Sequence, residues 1–579
     1  MKHLSLTIVL SFFISSLHAQ VATNVSINPS ITYQTIEDFG ASDCWTADYV
    51  GRYLDYTNKE QAAKWLFSQK FDANGNPEGI GLSLWRVNIG AGGAEQGSLS
   101  GIDDKTRRCY SYLNANGSYD WTKSVGQQYF MQKAKEYGTE HFTLFSNSAP
   151  VYFTKNGKAF ADAGISGSNL KDDCYDDFAE FLATVGKHFV DNGYNVNYIS
   201  PVNEPQYDWT GVQEGSPWEN VNIANLTKEL NRSLQNRSMT TKILLSEAGS
   251  WTALTGESGR ARDQIDELFN SGFSTSYIGN LPHVAKRVAG HSYWTFQTNQ
   301  GLTTTRSTVA SKANVYELGV TQSEWSMLDA APKTETGFPA SYDQASYMDI
   351  ALFMAKLIYC DIVNANVSSW SYWTAMAQEQ WAQKNRFYLL RLNARGDEFS
   401  QESYGDIANG GIVTANPNLW ALGNYSFFVR PGYQRINMTG ASDINSLCGT
   451  AYLSPNKDKI VAVFVNQSYS AKDIQVNLGD NNNYVSSIKR YITSQLYKSL
   501  QLEKVHPITS INDIISIPQR AVVTLTFDLS TTGIKELNQP SGTSNDLYSI
   551  DGKLIKHNAT NLDAVPQGVY IVGGKKLLK

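Results

Sequence analysis

The chain has 579 residues, 41% of them apolar and 18% charged, which is enough for several cores or for one large barrel with an appendage. A formal net charge of -6 with no long Lys/Arg cluster argues against nucleic-acid binding, which needs a concentrated basic surface. Aromatic residues make up 12%, with 13 Trp and 32 Tyr, and such rings stack on sugars as readily as they fill cores.

The chain opens MKHLSLTIVLSFFISSLHAQ, a short basic start, an apolar run and a small-residue site at Ala19. That order predicts a signal peptide over 1–19 and an exported mature chain beginning at Gln20, located in the periplasm, at the cell surface or outside the cell. No later run is apolar enough to predict a membrane span. Five cysteines, widely spaced and without a CxxC pair, support neither a zinc site nor a disulfide framework.

From there, eight short apolar segments recur, most of them ending in polar or aromatic residues. They are TIEDFGASDCW (35–45), LSLWRVNIGA (82–91), HFTLFSNSA (141–149), NYISPVNEP (197–205), KILLSEAGSW (242–251), RVAGHSYW (287–294), ELGVTQSEW (317–325) and SSWSYWTA (368–375). Between them lie segments such as CYDDFAEFLATVGKHFVDNG (174–193), whose apolar residues fall at three- and four-residue intervals, the helical period. Eight strands alternating with helices predict an α/β fold, a closed (β/α)8 TIM barrel over 39–425. An open doubly wound sheet is disfavoured because no Gly-rich nucleotide fingerprint follows the first strand.

Beyond 425 the pattern changes to short alternating segments, among them KIVAVFVNQS (459–468) and AVVTLTFDLS (521–530). These predict an antiparallel β-sandwich over 426–532, completed by N-terminal strands within 20–38. The polar stretch NQPSGTSND (538–546) reads as a linker, so 533–579 is expected to be linker plus a small C-terminal β module.

Barrel enzymes carry their chemistry at the C-terminal ends of the strands, and three of these ends hold a glutamate: Glu204, Glu247 and Glu324. The fourth and seventh ends face one another across a barrel mouth, so Glu204 and Glu324 can approach one bond from opposite sides, as glycosidic cleavage requires. Separation decides the outcome: about 5–5.5 Å gives retention and about 6.5–9.5 Å inversion. Glu324 could instead be half of a structural ion pair, and Glu247 reads better as a hydrogen-bonded wall residue. Arg86 is placed to hold a carboxylate ionised, and Asn203 to donate to a sugar 2-hydroxyl. Trp45, Trp209, Tyr293, Trp294, Trp325 and Trp373 crowd the same ends as candidate stacking walls, although about half of such rings are core. His291 reads as a hydrogen-bonded barrel histidine.

No metal or other cofactor is expected. FDANGNPEG (71–79) has Asp72, Asn74 and Asn76 at calcium-loop spacing, but Pro77 stands where Gly is required and Ser83 at the closing Glu position. With Glu204 and Glu324 placed for glycosidic cleavage, the partner expected is a polysaccharide substrate.

These residues together resemble glycoside hydrolase family 30, through SPVNEPQYDW (200–209), TQSEWS (321–326) and LGNYSFFVRPGYQRI (422–436). The resemblance spans about 39–530. It implies a retaining β-glycosidase with a side β-sandwich built from both chain ends, with Glu204 as acid/base and Glu324 as nucleophile. GASDCWTADYVGRY (40–53) and LSLWRVNIGAGGAEQG (82–97) look most like the branch containing endo-β-1,6-galactanases, which implies plant cell-wall arabinogalactan as substrate. SNSAPVYFTKNG (146–157) stands where many members carry Trp-Ser-Pro-Pro, so a xylanase, a β-1,6-glucanase or a silent polysaccharide-binding protein are the alternatives. The last unit, LYSIDGKLI…VPQGVYIV, resembles the C-terminal modules of exported Bacteroidetes enzymes.

Overall fold

The computed structural model describes residues 22–579 except 257–258, 380–383, 395–405, 496–498, 503–507, 531–545, 550–552, 558–565, 567–568, 573–574 and 579. The signal peptide expected at 1–19 and nearly all of the linker expected at 538–546 lie outside the described residues. The chain divides into two compact units, Met1–Leu529 and Ser530–Lys579.

In the first unit a long strand, β1 (Thr23–Thr35), precedes eight parallel strands that close on themselves. These are β2 (Asp38–Ser42), β3 (Leu84–Asn88), β4 (His141–Phe145), β5 (Val196–Ser200), β6 (Lys242–Ala248), β7 (Val284–His291), β8 (Gly319–Glu324) and β9 (Val367–Tyr372). Closure comes from β9 pairing in parallel with β2, Asp38 opposite Ser369 and Ala41 opposite Tyr372. Each strand falls inside one of the eight predicted segments or overlaps it by most of its length. Their residues are buried almost throughout, because one face lines the barrel interior and the other packs on helices, so no polar alternation shows in the sequence.

The helices bury one stripe each. In Tyr175–Asp191 the inward residues are Phe178, Phe181, Leu182, Val185 and Phe189. Tyr347–Asn364 is buried nearly all round, Lys356 and Asp361 included, and is started by a capping box between Ser346 and Asp349. It can be so because it packs against the barrel on one side and against the sheet described next on the other.

That sheet has nine strands, in the order Gln501–Leu502, Val485–Ser494, Ala521–Leu529, Lys459–Asn466, Leu447–Leu453, Gln434–Thr439, β1, Lys472–Asn477 and Ile515–Ile517. It explains the non-alternating KIVAVFVN run. Val461, Val463 and Val465 join the core shared with the barrel, while Ile460, Ala462 and Phe464 face the interior of the curled sheet. The sheet is mixed: β1 pairs antiparallel with Gln434–Thr439 but parallel with Lys472–Asn477. A strand arriving from the opposite end of the chain has no hairpin to impose an antiparallel neighbour on both sides.

The second unit is a four-stranded sheet of Leu554–Lys556, Leu547–Ser549, Val569–Val572 and Lys575–Leu578, with Leu547 and Tyr570 at its core. No helix among the described residues is long and apolar enough to cross a membrane.

Candidate active site

Glu324 closes β8, and Glu204 and Glu247 follow β5 and close β6, so all three reach the C-terminal mouth of the barrel. Glu204 and Glu247 both sit in the left-handed backbone region, at φ +42° and +52°. Non-glycine residues held there cost energy and concentrate at functional sites. The two turns are tied together, the Glu204 N–H donating to the Glu247 carbonyl at 2.8 Å.

Arg86, central in β3 and only 1% exposed, organises the cluster from below. Its Nη1 donates to Glu324 Oε2 at 2.7 Å and its Nη2 to Asn203 Oδ1 at 3.0 Å, with Glu247 Oε2 3.5 Å from Nη2. Its plane lies 3.6 Å over the Phe145 ring. Because the Asn203 oxygen is occupied by Arg86, the amide nitrogen is the end left to donate elsewhere.

Glu247 is fully buried and accepts from the Ser200 hydroxyl at 2.7 Å, from Ser323 and from His291 Nε2 at 3.1 Å. Burial pushes its carboxyl up, but the charges of Arg86 and His291 and these hydrogen bonds outweigh burial and hold it at about 2. It is a permanent anion with no open face.

His291, also fully buried, bridges Glu247 to Glu204, its Nδ1 lying 2.8 Å from Glu204 Oε1. Burial opposes its charge, yet the Glu324 carboxylate and the hydrogen bonds to Glu204 and Glu247 raise it to about 9. It is therefore an imidazolium at neutral pH, donating from both nitrogens. Glu324 accepts a further hydrogen bond from Tyr293 Oη at 3.2 Å. Burial raises the Glu324 carboxyl, His291 and Arg86 pull it back, and the nearby Glu204 raises it again. One oxygen each of Glu204 and Glu324 and Nδ1 of His291 lie within 4.8 Å of one another.

The signs of these shifts set a pH window. Glu247, held below its ordinary 4.5, contributes stability above that value and loses it as pH falls through about 2. His291, raised above its ordinary 6.5, contributes fully below 6.5 and loses its contribution as pH rises through about 9. Thermal midpoints of the wild type are thus expected to fall between about pH 6.5 and 9, and His291→Gln to flatten that fall. An unchanged slope in the variant contradicts the assignment.

The aromatic residues divide. Tyr293 touches Glu324 through its hydroxyl, and Trp209 donates Nε1–H to the Glu204 carbonyl at 3.0 Å, anchoring that turn. Trp45 and Trp373 meet edge to face at 5.7 Å in a largely buried cluster with Phe145, under the ring that carries Arg86. Trp325 is 1% exposed and packs against Phe296, Trp370 and Tyr372, so it offers no stacking wall. Strand alternation explains it: with Glu324 pointing to the mouth, the next side chain turns outward beneath the helices. Of the candidate walls it is Trp294 that is exposed, 50% accessible and beside Tyr207 at 5.2 Å. Tyr207 and the bridging roles of His291 and Glu247 were not evident from sequence; a histidine at a strand end, in GHSYW, was the available signal.

Gly249 lies under the acid cluster. A Cβ there would sit 2.9 Å from the Tyr207 ring and 3.3 Å from the Glu204 carboxyl carbon. Gly249→Ala is expected to lower kcat between about ten- and a hundredfold by displacing Glu204, with the fold intact by circular dichroism. Unchanged kcat contradicts that placement.

An eight-stranded parallel barrel whose mouth holds two facing carboxylates, braced by an arginine and a histidine, is the architecture of a glycosidase barrel. The family model for O-glycosyl hydrolase family 30 matches residues 22–384, and the chain belongs to that family. It is an O-glycosyl hydrolase. An endo-β-1,6-galactanase from Hypocrea rufa is 24% identical over 392 residues, 64% of this chain and 71% of that protein. A conserved exported protein from Bacteroides fragilis superposes with a TM-score of 0.78 at 30% identity, over 87% of this chain and 100% of that one. The catalytic domain of xylanase C from Talaromyces cellulolyticus shares the fold, with a TM-score of 0.60 at 20% identity over 87% and 99%.

Proposed function

We propose that the protein is an exported, endo-acting hydrolase of β-1,6-linked galactan that cleaves with retention through Glu324 as nucleophile and Glu204 as acid/base. The observation that carries the mechanism is the approach of the Glu204 and Glu324 oxygens to within 4.8 Å. A nearest approach of this size sits with the about 5–5.5 Å of retaining pairs rather than with the about 6.5–9.5 Å that admits a water between sugar and base.

In the first step Glu324 attacks the anomeric carbon while Glu204 gives its proton to the leaving oxygen. Glu204, now a carboxylate, takes a proton from water, and that water displaces Glu324. Arg86 and Tyr293 hold Glu324 for attack, and Asn203 is positioned to donate to the 2-hydroxyl.

The galactan reading is supported by the Hypocrea rufa relative, named for that activity, and export by the leader-like start of the chain and by the exported Bacteroides fragilis neighbour. The test is incubation of the chain with de-arabinosylated arabinogalactan, β-1,6-glucan and glucuronoxylan, followed by product masses. Galacto-oligosaccharides of mixed length from the first polymer alone are expected. Cleavage of glucan or xylan only contradicts the substrate, and a single released unit contradicts endo action.

A further inference from the structure

The geometry points to a second recognition site beside the acid/base, on the side that receives the leaving group, where Trp294 stacks a sugar and Arg262 binds the carboxylate of a uronic acid. It rests on the assignment of Glu204 as the acid, since the acid stands on the leaving-group side of the scissile bond.

A cavity of about 510 Å³, within the range of saccharide-sized pockets, is lined by Tyr207, Gly249, Arg262 and Trp294 among others. It adjoins the catalytic cluster directly, because Gly249 lies against both the Tyr207 ring and the Glu204 carboxyl. Trp294 is held rather than loose. Its backbone sits at φ +54°, its N–H donates to Asp329 Oδ2 at 2.9 Å, and its ring rests against Tyr207 and Tyr293 at 5.2 and 5.7 Å. Half of this ring remains open to solvent. A large aromatic face fixed on one side and exposed on the other, in left-handed backbone, fits stacking on the C–H face of a sugar.

The two arginines in the wall differ. Arg260 is already engaged, 2.8 Å from Asp208 and 3.8 Å from Glu219. The exposed guanidinium of Arg262 makes no ion pair or hydrogen bond among the described residues, although Glu219 and Glu267 line a hollow on its other side. Its backbone is pinned, its carbonyl accepting from Asn220 Nδ2 at 2.8 Å and that of Ala261 from Gln206 Nε2 at 2.9 Å. A fixed stem with an unengaged planar fork suits a carboxylate, which the fork binds through two parallel N–H bonds.

The test titrates the full chain with methyl β-D-glucuronide and methyl β-D-galactoside, read by ligand-detected NMR, for wild type, Arg262→Gln, Arg262→Lys and Trp294→Ala. Wild type is expected to bind the glucuronide about fivefold more tightly than the galactoside. That ratio should fall to near one in Arg262→Gln and lie between in Arg262→Lys, which keeps the charge and loses the fork. Trp294→Ala should weaken both ligands. Equal affinity in the wild type, no saturable glucuronide binding, or a preference that survives Arg262→Gln overturns the site. Hydrolysis of β-1,6-galactan is measured in parallel. Glucuronide preference without galactan hydrolysis sinks the galactan reading and leaves the site, whereas hydrolysis without preference sinks the site alone.

Discussion

Glu324→Gln is expected to lower kcat by at least about 10⁴-fold while substrate still binds, because the amide cannot form the glycosyl ester through which the reaction divides. The fold should survive, since glutamine keeps the shape that packs beneath Tyr293 and over Arg86, although Arg86 loses a charged partner at 2.7 Å. Glu324→Gly gives the sharper readout. Azide added to this variant enters the vacated space and attacks the anomeric carbon while Glu204 protonates the leaving oxygen. One displacement inverts configuration, so the product is an α-glycosyl azide. A β-glycosyl azide, or a Glu324→Gln enzyme within tenfold of wild type, contradicts Glu324 as nucleophile.

Glu204→Ala has the second largest expected effect, a loss of about 10²–10⁴-fold on substrates whose leaving sugar needs a proton. A nitrophenyl glycoside, whose leaving group departs as an anion, still forms the intermediate on Glu324 and then stalls for want of a base. Azide needs no base and releases that intermediate. Two displacements restore configuration, so here the product is a β-glycosyl azide. The opposite stereochemistry of the two azides separates the roles of Glu204 and Glu324 in a way that loss of activity cannot. Equal losses on sugar and nitrophenyl leaving groups, with no response to azide, contradict Glu204 as acid/base.

The barrel was legible because parallel strands buried on both faces read as short apolar runs, and eight of them alternate with helices of clear period. The placement of Glu204 and Glu324 at strand ends was legible for the same reason, since it follows from counting. What the count does not carry is side-chain direction one residue further on. Trp325 belongs to the core and Trp294 to the cleft, and both follow a strand end directly or nearly so. The His291 bridge was hidden because its meaning depends on Glu247 and Glu204, 44 and 87 residues away in sequence and brought to its two ring nitrogens only by closure of the barrel. The parallel pairing of β1 was equally out of reach, because a single strand does not declare the direction of its neighbours.

The most direct test of double displacement across Glu324 and Glu204 is the anomeric configuration of the first product. Wild-type enzyme is mixed with its cleaved polymer in deuterated buffer, and proton NMR spectra are taken before mutarotation mixes the anomers. New reducing ends that first appear as the β anomer are predicted, with α growing later at the rate of mutarotation. An α anomer appearing first means a single displacement, and would contradict the covalent role assigned to Glu324.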